Sequence, residues 1–380
     1  MISKQPPDET RDSEHGTMNA SRGLASFAMR GSSLADLALH YNNTDTVSIP
    51  IPTSLLQVAE SVLQRLVLNG DGLEQESKIL VHSKFLSLSL QESLPLAAAV
   101  FNNFQALYTS DNDIHTVVRD FPLSQKTFVL KTYYVSVAAL DVKLSPSSSL
   151  LRAAEFEQVT LGVAFGGQGM GRDYFIDLFS LVDVYGPLVL PLVKKLTSTL
   201  FEYSTCPERM RLNGHTINVL EWLENPETRP NAQTMLDTDI SMPLIAMTQI
   251  LHYWVMLRIA GKTPGEMRRL IKGNGDFLTT TASRSYKLGT TGHSQGIISS
   301  VVIASSETDD EFIENARKAV GLLYWIGLHS RSVWEVSASP VNERTLQDCL
   351  NNDEGVPTPM LAVSGACGSG TSGKNKLPDK

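Results

Sequence analysis

Gly292-His293-Ser294-Gln295-Gly296 is the segment of this chain that says most about its fold. The pattern Gly-x-Ser-x-Gly is typical of a sharp turn between a strand and a helix, because glycine permits a bend at which a side chain would clash. On such a turn the Ser294 hydroxyl can attack an acyl carbonyl, and the backbone amide of Gln295 can face the oxyanion that forms. The stretch therefore predicts an α/β fold with Ser294 as nucleophile. A chance match in a chain with 26 glycines is the alternative, so the surrounding sequence has to decide.

Composition narrows the functional classes. The 380-residue chain is 42% hydrophobic with a net charge of −8, so it can bury a large core but lacks the basic stripe that binds nucleic acid. Its three widely spaced cysteines encode neither a disulfide framework nor a metal site, which favours a cytoplasmic protein. Residues 1–19 are polar and acidic, unlike a secretory signal. The apolar stretch 241–261 contains Gln249, His252 and Arg258, which favours a buried helix over a membrane partner.

Five segments follow from changes in sequence pattern. Residues 1–35 and 365–380 lack a sustained period, so we predict disordered tails. Residues 36–144 are predicted to be mainly helical, residues 145–157 to be a linker and residues 158–364 to form the α/β core. Two apolar stripes at helical spacing support the helical region. The first consists of Leu55, Val58, Val62 and Leu66, and the second consists of Ala97, Val100, Phe104 and Leu107.

Within the core, residues 159–165 predict a buried strand. Helices are predicted over residues 174–185, 187–201, 217–224 and 244–259. Another helix should begin at Thr263-Pro264, with Thr263 as its cap and Pro264 at its first position. A strand, the turn at Ser294 and a helix then complete the order expected for a nucleophile held on a sheet.

A glycine-rich stretch, Gly167-Gln168-Gly169-Met170-Gly171, follows the predicted strand. It fails the dinucleotide-binding pattern G-x-G-x-x-G, because Arg172 occupies the last position. A turn at this place can instead bring Gln168 towards an oxyanion. An ordinary tight turn is the alternative interpretation.

Together the two motifs resemble the acyltransferase family of fatty acid and polyketide synthases. More specifically, the chain resembles the acetyltransferase region at the N-terminus of the fungal fatty acid synthase β subunit, over roughly residues 45–364. The blocks that carry the resemblance, in order, are Ile51-Pro52-Thr53-Ser54-Leu55, Asn112-Asp113-Ile114-His115, Phe165-Gly166-Gly167-Gln168-Gly169, Asp173-Tyr174-Phe175, Leu220-Glu221-Trp222-Leu223-Glu224-Asn225-Pro226, Pro243-Leu244-Ile245, Thr263-Pro264-Gly265-Glu266, Thr291-Gly292-His293-Ser294-Gln295-Gly296, Trp325-Ile326-Gly327-Leu328 and Glu354-Gly355-Val356-Pro357-Thr358-Pro359-Met360-Leu361.

The resemblance implies a fold and a reaction. The fold is a malonyl/acetyl-CoA:ACP transacylase-like α/β-hydrolase-type core, here incomplete. Ser294 would take an acyl group from acyl-CoA as an ester and pass it to the phosphopantetheine of the acyl carrier protein domain of the synthase α subunit. The Gln295 amide and Gln168 would bind the oxyanion, while Gly167 and His293 would lie at the pocket, with His293 as packing support rather than base.

The resemblance also implies partners and acyl preference. The chain would work in a cytoplasmic hetero-oligomeric synthase and hold no covalently bound cofactor or metal. FMN and NADPH serve regions of the relatives that lie outside this chain. Malonyl-loading relatives pair an arginine on the helix after the turn with the free carboxylate, and the resemblance places Ile326 there, which favours an uncharged acyl group. A helix buried in the core would look the same.

The chain departs from the family in two ways. The family's catalytic histidine lies downstream of the nucleophile in a stretch that this chain lacks. His329, the only histidine after Ser294, aligns with a non-catalytic arginine position. The family pattern stops after Ser364, and residues 274–289 form an insertion that is either a translated intron or a loop in which residues 286–291 take over the strand. We therefore expect a fragment with little activity.

Two other functions compete with this interpretation. The first is a catalytically silent assembly module that docks an α subunit through the helical N-terminal region. The second is a free serine esterase, which needs an acid and then a histidine after Ser294. His329 precedes both Asp348 and Asp353, so the order is wrong for an esterase.

Overall fold

The computed structural model describes residues 33–41, 45–68, 77–110, 113–144, 148–168, 173–272, 289–337 and 343–351. The chain divides into two compact units, residues 1–331 and residues 332–380. Four strands lie in the described residues: β1 (Leu34–Tyr41), β2 (Asp45–Pro52), β3 (Val163–Phe165) and β4 (Thr290–Gly292). The helices are α1 (Leu56–Leu68), α2 (Lys78–Glu92), α3 (Leu94–Phe104), α4 (Ile114–Val117), α5 (Leu123–Ala139), α6 (Ser149–Glu155), α7 (Asp173–Ser204), α8 (Pro207–Arg211), α9 (Val219–Glu224), α10 (Thr238–Ile259), α11 (Pro264–Lys272), α12 (Gly296–Ala304), α13 (Asp309–Ser337) and α14 (Glu343–Asn351).

The N-terminal region begins with a β-hairpin. Strands β1 and β2 are antiparallel and pair from Leu34 with Pro52 to Tyr41 with Asp45. Apolar residues at every second position point to one face and are buried, as in Val47, Ile49 and Ile51. The prediction of a helical region from residue 36 was therefore wrong for this part, and the predicted tail of residues 1–35 ends earlier, because β1 starts at residue 34. Helices α1 to α5 pack on the hairpin and form one core with it.

The predicted helical stripes are confirmed except at one end. Val62, Ala97 and Phe104 are buried in the N-terminal core, but Leu107 is 44% exposed. The chain changes from α-helix to a π-helical turn at Gln105–Thr109. The wider turn rotates Leu107 off the face that an α-helix would have buried.

The predicted linker contains a helix. In α6, Ala154 is buried and Glu155 forms an ion pair with Lys262 at 2.5 Å. Ser148 caps this helix by accepting a hydrogen bond from the amide of Leu151. The segment 148–157 is thus attached to the core rather than a free connection, and residues 145–147 lie outside the described residues.

The helices around the predicted nucleophile follow the sequence closely. The predicted helices 174–185 and 187–201 form one element, α7, that is interrupted by non-helical backbone at Tyr185. Pro187 explains the break, because its ring excludes a regular turn before it. Helix α11 begins as predicted at Pro264, where Thr263 and Glu266 exchange hydrogen bonds in a capping box.

The sheet near the nucleophile is small. Strand β3 covers only residues 163–165 of the predicted strand 159–165, and it is partly exposed rather than buried. It pairs in parallel with β4, from Val163 with Thr290 to Phe165 with Gly292. The described residues therefore show a mainly helical protein with a strand-turn-helix unit, and the wider sheet of an α/β-hydrolase-type core stays a prediction. The predicted insertion lies outside the described residues up to residue 288.

Two helices, α7 and α10, are long and apolar enough by composition to span a membrane. In α10, 78% of the most apolar window is buried in the protein, against 33% in α7. Residues from both helices belong to the core around β3 and β4. The burial of α10 is that of a core helix, as its polar residues predicted.

An ion-pair network fixes the start of α10. Asp239 is fully buried and accepts a 2.8 Å hydrogen bond from the backbone N–H of His215. The guanidinium of Arg331 lies 3.4 Å from the same carboxylate. His215, Asp237 and Asp239 place their polar atoms within 4.8 Å of one another, as metal ligands would, but the guanidinium supplies positive charge at this place. We interpret the cluster as a structural ion-pair network.

Replacing Asp239 with asparagine is expected to lower the free energy of unfolding by about 2–4 kcal/mol, because Arg331 and His215 lose a buried anion. Burial acts to raise the pKa of Asp239, but the hydrogen bonds from His215 and the charges of His215 and Arg331 outweigh it, so the pKa lies below its usual value. The stabilisation is present above the unfolded-state pKa of about 3.9 and is lost as pH falls through the folded-state pKa.

Urea denaturation between pH 7 and pH 3 measures the difference in unfolding free energy between Asp239→Asn and the parent chain. The matched control is Asp237→Asn, because Asp237 is 33% exposed and its loss should cost less than about 1 kcal/mol. Two results would contradict the interpretation. One is an equal loss of unfolding free energy in the two variants, and the other is a gap between Asp239→Asn and the parent chain that does not shrink in acid.

Candidate active site

Ser294 lies on a strained turn between β4 and α12. Its φ angle is 54°, in the left-handed region that residues other than glycine seldom adopt. Strand β4 ends two residues before it at Gly292, and α12 begins two residues after it at Gly296. The Ser294 side chain is exposed at the tip of this turn. The structure therefore has the strand-turn-helix geometry that the sequence predicted.

The two glycines of the motif are required by close backbone contacts. A Cβ on Gly292 would collide with the backbone of Gly296 and Ile297. A Cβ on Gly296 would lie 2.5 Å from the carbonyl oxygens of Phe165 and Gly166. Only glycine permits such approaches. The motif thus brings the first turn of α12 directly onto the end of β3.

The glycine loop, which we define as residues 166–168, lies against the nucleophile. The backbone N–H of His293 donates a 2.9 Å hydrogen bond to the carbonyl of Phe165, which joins the turn to the end of β3. A Cβ on Gly167 would lie 2.8 Å from the Cβ of Ser294 and 3.2 Å from Nδ1 of His293. The structure therefore brings Gly167 to His293 and Ser294, from which it is separated by more than 120 residues in sequence.

Gln168 is held by helix α10. Its Nε2 donates a 3.0 Å hydrogen bond to Oγ of Ser241, which is buried on the first turns of that helix. A carboxamide nitrogen carries two hydrogens, so one remains for a second acceptor. This contact fixes the position of Gln168 beside the nucleophile turn, and its role towards an oxyanion stays a prediction.

Gln295 is buried immediately after the nucleophile. Its side chain is 5% exposed, and neither Oε1 nor Nε2 has a hydrogen-bond partner. Among the described residues, no acceptor takes a hydrogen bond from its backbone N–H, whereas the amides of Gly296 and Ile297 are bonded to His293 and Ser294. An N–H in this state at the start of a helix is a suitable donor to a developing oxyanion.

Ile326 and His329 lie on α13, not on α12, the helix that directly follows the nucleophile turn. Ile326 is 40% exposed, so the alternative of a fully buried core position does not apply. The ring of His329 lies 6.1 Å from that of Trp325. In the described part of the chain no histidine is hydrogen-bonded to Oγ of Ser294, so the serine has no base at hand there.

Sequence reasoning missed the residues that hold the glycine loop in place. Gln249 joins the loop to α12, because it is hydrogen-bonded to the carbonyl of Gly166 and to the hydroxyl of Ser299. Ser241 accepts a hydrogen bond from Gln168 at the other end of the loop. The sequence signal was an isolated glutamine in an apolar helix, which had served only as evidence against a membrane span. A polar side chain in a buried helix needs a partner, and that need was the available clue.

Comparisons with known proteins identify two family models that match this chain. Residues 163–366, more than half of the chain, match the family model described as starter unit:ACP transacylase in aflatoxin biosynthesis. Residues 33–140 match the model of the N-terminal domain in fatty acid synthase subunit beta. The second match includes the hairpin and the helices that pack on it.

Individual relatives show the same relation. The chain is 33% identical over 302 residues to the fatty acid synthase subunit beta of Saccharomyces cerevisiae, which covers 77% of this chain and 13% of the yeast protein. It is 32% identical to the subunit of the same name from Schizosaccharomyces pombe, in a match that covers 77% of this chain and 14% of that protein. It is 30% identical to the fatty acid synthase beta subunit TOXC of Cochliobolus carbonum, in a match that covers 71% of this chain and 12% of that protein. The chain therefore spans about one seventh of the length of these relatives or less.

The glycine loop offers a matched pair of substitutions. Gly167→Ala places a methyl group 2.8 Å from the Cβ of Ser294 and is expected to lower the free energy of unfolding by about 1–3 kcal/mol. Gly166→Ala meets nothing within 4 Å and should change stability by no more than about 0.5 kcal/mol, or raise it slightly. Chemical denaturation of both variants measures the difference. Equal stability would show that the loop does not lie against the nucleophile.

Proposed function

The chain belongs to the starter unit:ACP transacylase family of acyltransferases, and we propose that it transfers an acetyl starter group in fatty acid synthesis. Ser294 Oγ attacks the thioester carbonyl of acyl-CoA, the carbon–sulfur bond breaks, and coenzyme A leaves as the thiol with the serine proton. The phosphopantetheine thiol of an acyl carrier protein then attacks the seryl ester and releases the serine. Each half-reaction exchanges one acyl bond for another.

The observation that carries the proposal is the strained turn at Ser294. A positive φ at a serine costs free energy, and such strain persists where the surrounding structure holds it. Here the N–H of Gln295 lies next to the nucleophile with no acceptor in the described residues. The exposed hydroxyl of Ser294 and the backbone N–H of Gln295 lie on one short segment. They are the nucleophile and the oxyanion donor that acyl transfer needs.

The glycine loop supplies the other side of the pocket in this proposal. Gly167 lies against Ser294, and the described residues offer no acceptor to the second Nε2 hydrogen of Gln168 beyond its bond to Ser241. Gln168 then assists the Gln295 amide in binding the oxyanion, while His293 supports the loop by packing. Loss of one oxyanion donor typically lowers the rate by about 10²–10³-fold.

Partners and location follow from the family as part of the same proposal. The acyl donor is acyl-CoA and the acceptor is the carrier domain of a synthase α subunit, within a cytoplasmic hetero-oligomeric complex. Reactions that use FMN and NADPH belong to other regions of such a synthase. The net charge of −8 does not favour a nucleic acid as partner.

A catalytically silent assembly module is the second candidate. It is favoured by one observation: in the described residues, Ser294 has no histidine hydrogen-bonded to its hydroxyl. A serine without a base reacts slowly. The free esterase gains no support, since the family model describes a transacylase and the named relatives are fatty acid synthase subunits.

Ser294→Ala separates the two candidates. We expect the 380-residue chain, incubated with radiolabelled acetyl-CoA, to acquire a slowly formed, alkali-labile ester that peptide mapping places on Ser294. The alanine variant should acquire none. Ser330→Ala, which removes an exposed hydroxyl on α13, is the matched control and should label like the parent chain. No label on the parent chain would favour the silent module.

Acyl preference gives a second test. With Ile326 in the place of a carboxylate-binding arginine, the complete synthase that contains this region should load acetyl or hexanoyl groups at least about tenfold faster than malonyl. Competition between labelled thioesters measures the ratio. Peptide mapping restricts the comparison to the ester on Ser294, and equal loading of malonyl there would show that Ile326 does not set the preference.

A further inference from the structure

Gln249 connects the two halves of the site from the middle of α10. Its Nε2 donates a 2.8 Å hydrogen bond to the carbonyl of Gly166 in the glycine loop. Its Oε1 accepts a 2.7 Å hydrogen bond from Oγ of Ser299 on α12, the helix that follows the nucleophile. One side chain therefore joins the loop on one side of Ser294 to the helix on the other.

The chemistry of the partners leaves one orientation for this amide. A backbone carbonyl can only accept, so the group that faces Gly166 must be the NH₂ end of Gln249. The carbonyl end then faces Ser299, whose hydroxyl has a hydrogen to give. Of the common side chains of this length, only glutamine presents a donor and an acceptor side by side at neutral pH. Glutamate would present two acceptors and would repel the Gly166 carbonyl.

The bond to Gly166 fixes the peptide plane that precedes Gly167. In a trans peptide the carbonyl and the following N–H point in opposite directions, so holding the Gly166 oxygen sets the orientation of the Gly167 amide. Gly167 is the residue whose Cα lies against Ser294 and His293. Control of this one carbonyl therefore controls how the loop lies on the nucleophile.

Ser241 holds the other end of the same loop, through Gln168. Ser241 and Gln249 are eight residues apart on α10, or about 12 Å along the helix axis. Most residues between them are buried in the core, as Leu244 and Ile245 are, so α10 is a rigid support. The loop is thus attached at two points to one helix.

We propose that Gln249 is a positioning residue for acyl transfer, which orients the glycine loop across Ser294 without touching the acyl group. The proposal rests on the proposed function, since it assigns Gln249 to the same site. It predicts that loss of the donor towards Gly166 loosens the loop and slows acylation while binding of acyl-CoA is retained.

Hydrogen exchange of the full chain tests the position of the loop without any need for transfer. In Gln249→Leu the peptide that covers residues 162–168 should exchange about fivefold faster or more, which is the effect of losing one hydrogen bond of ordinary strength. Peptides of α11 and of the N-terminal hairpin should be unchanged. Ser299→Ala frees the carbonyl end of Gln249 and should give a smaller increase. Unchanged exchange of residues 162–168 in Gln249→Leu would overturn the proposal.

Gln249→Glu gives a readout that a merely structural role would not move. A protonated glutamic acid can donate to the Gly166 carbonyl, whereas the carboxylate cannot. Loop protection and the acylation rate of this variant, each relative to the parent chain, should therefore rise as pH falls from 8 towards 5, and the rate should change more than KM for acetyl-CoA. Gln57→Glu, an exposed position on α1, is the matched control and should show no such dependence.

The outcomes separate this proposal from the function on which it rests. If the parent chain acquires no acetyl label, the proposed function fails, and exchange of the loop still decides whether Gln249 orients it. If the parent chain is labelled but the loop protection and acylation rate of Gln249→Glu, relative to the parent chain, are the same at pH 8 and pH 5, the positioning role of Gln249 is wrong and the proposed function stands. If Gln249→Leu does not fold, Ser299→Ala and the glutamate variant at low pH supply the measurement.

Discussion

The close backbone approach between Gly296 and the carbonyls of Phe165 and Gly166 is the constraint on which the rest of the site depends. It exists because β3 and β4 pair in parallel and end together, at Phe165 and Gly292. With a side chain at position 296, α12 could not start where it does, and Ser294 would not be forced to a positive φ. A sheet of only three residue pairs therefore sets the exposure of the nucleophile.

Helix α10 supplies the rigidity that such a small sheet lacks. Its interior holds the glycine loop through Ser241 and Gln249, and its first turn is fixed by the network around Asp239. The hydroxyl of Thr238 also donates to the carbonyl of Gly327 on α13, where the two backbones touch. A nucleophile needs its surroundings held to well under an ångström, and a buried helix that is fixed at its first turn and bonded to the loop at two points meets that need.

Local chemistry explains which features the sequence predicted. The nucleophile turn, the cap at Thr263 and the interruption between residues 185 and 187 depend on residues within a few positions of each other, and all three are present. The hairpin was missed because its alternation of apolar residues is short and lies beside strong helical stripes. Leu107 was missed because a π-helical turn changes the period. Contacts such as Gln249 with Gly166 join residues 83 positions apart, which no local pattern can predict.

In the proposed site, the turn holds Ser294 as an acyl acceptor, with the Gln295 amide facing the oxyanion and the glycine loop beside it. A crystal structure of the chain after treatment with p-nitrophenyl acetate would test this arrangement. We expect an acetyl group on Oγ of Ser294, with its carbonyl oxygen accepting a hydrogen bond from the N–H of Gln295 and with Gly167 against the serine. An unmodified Ser294 beside acetyl groups on other residues, or an ester whose oxygen points away from Gln295, would contradict it.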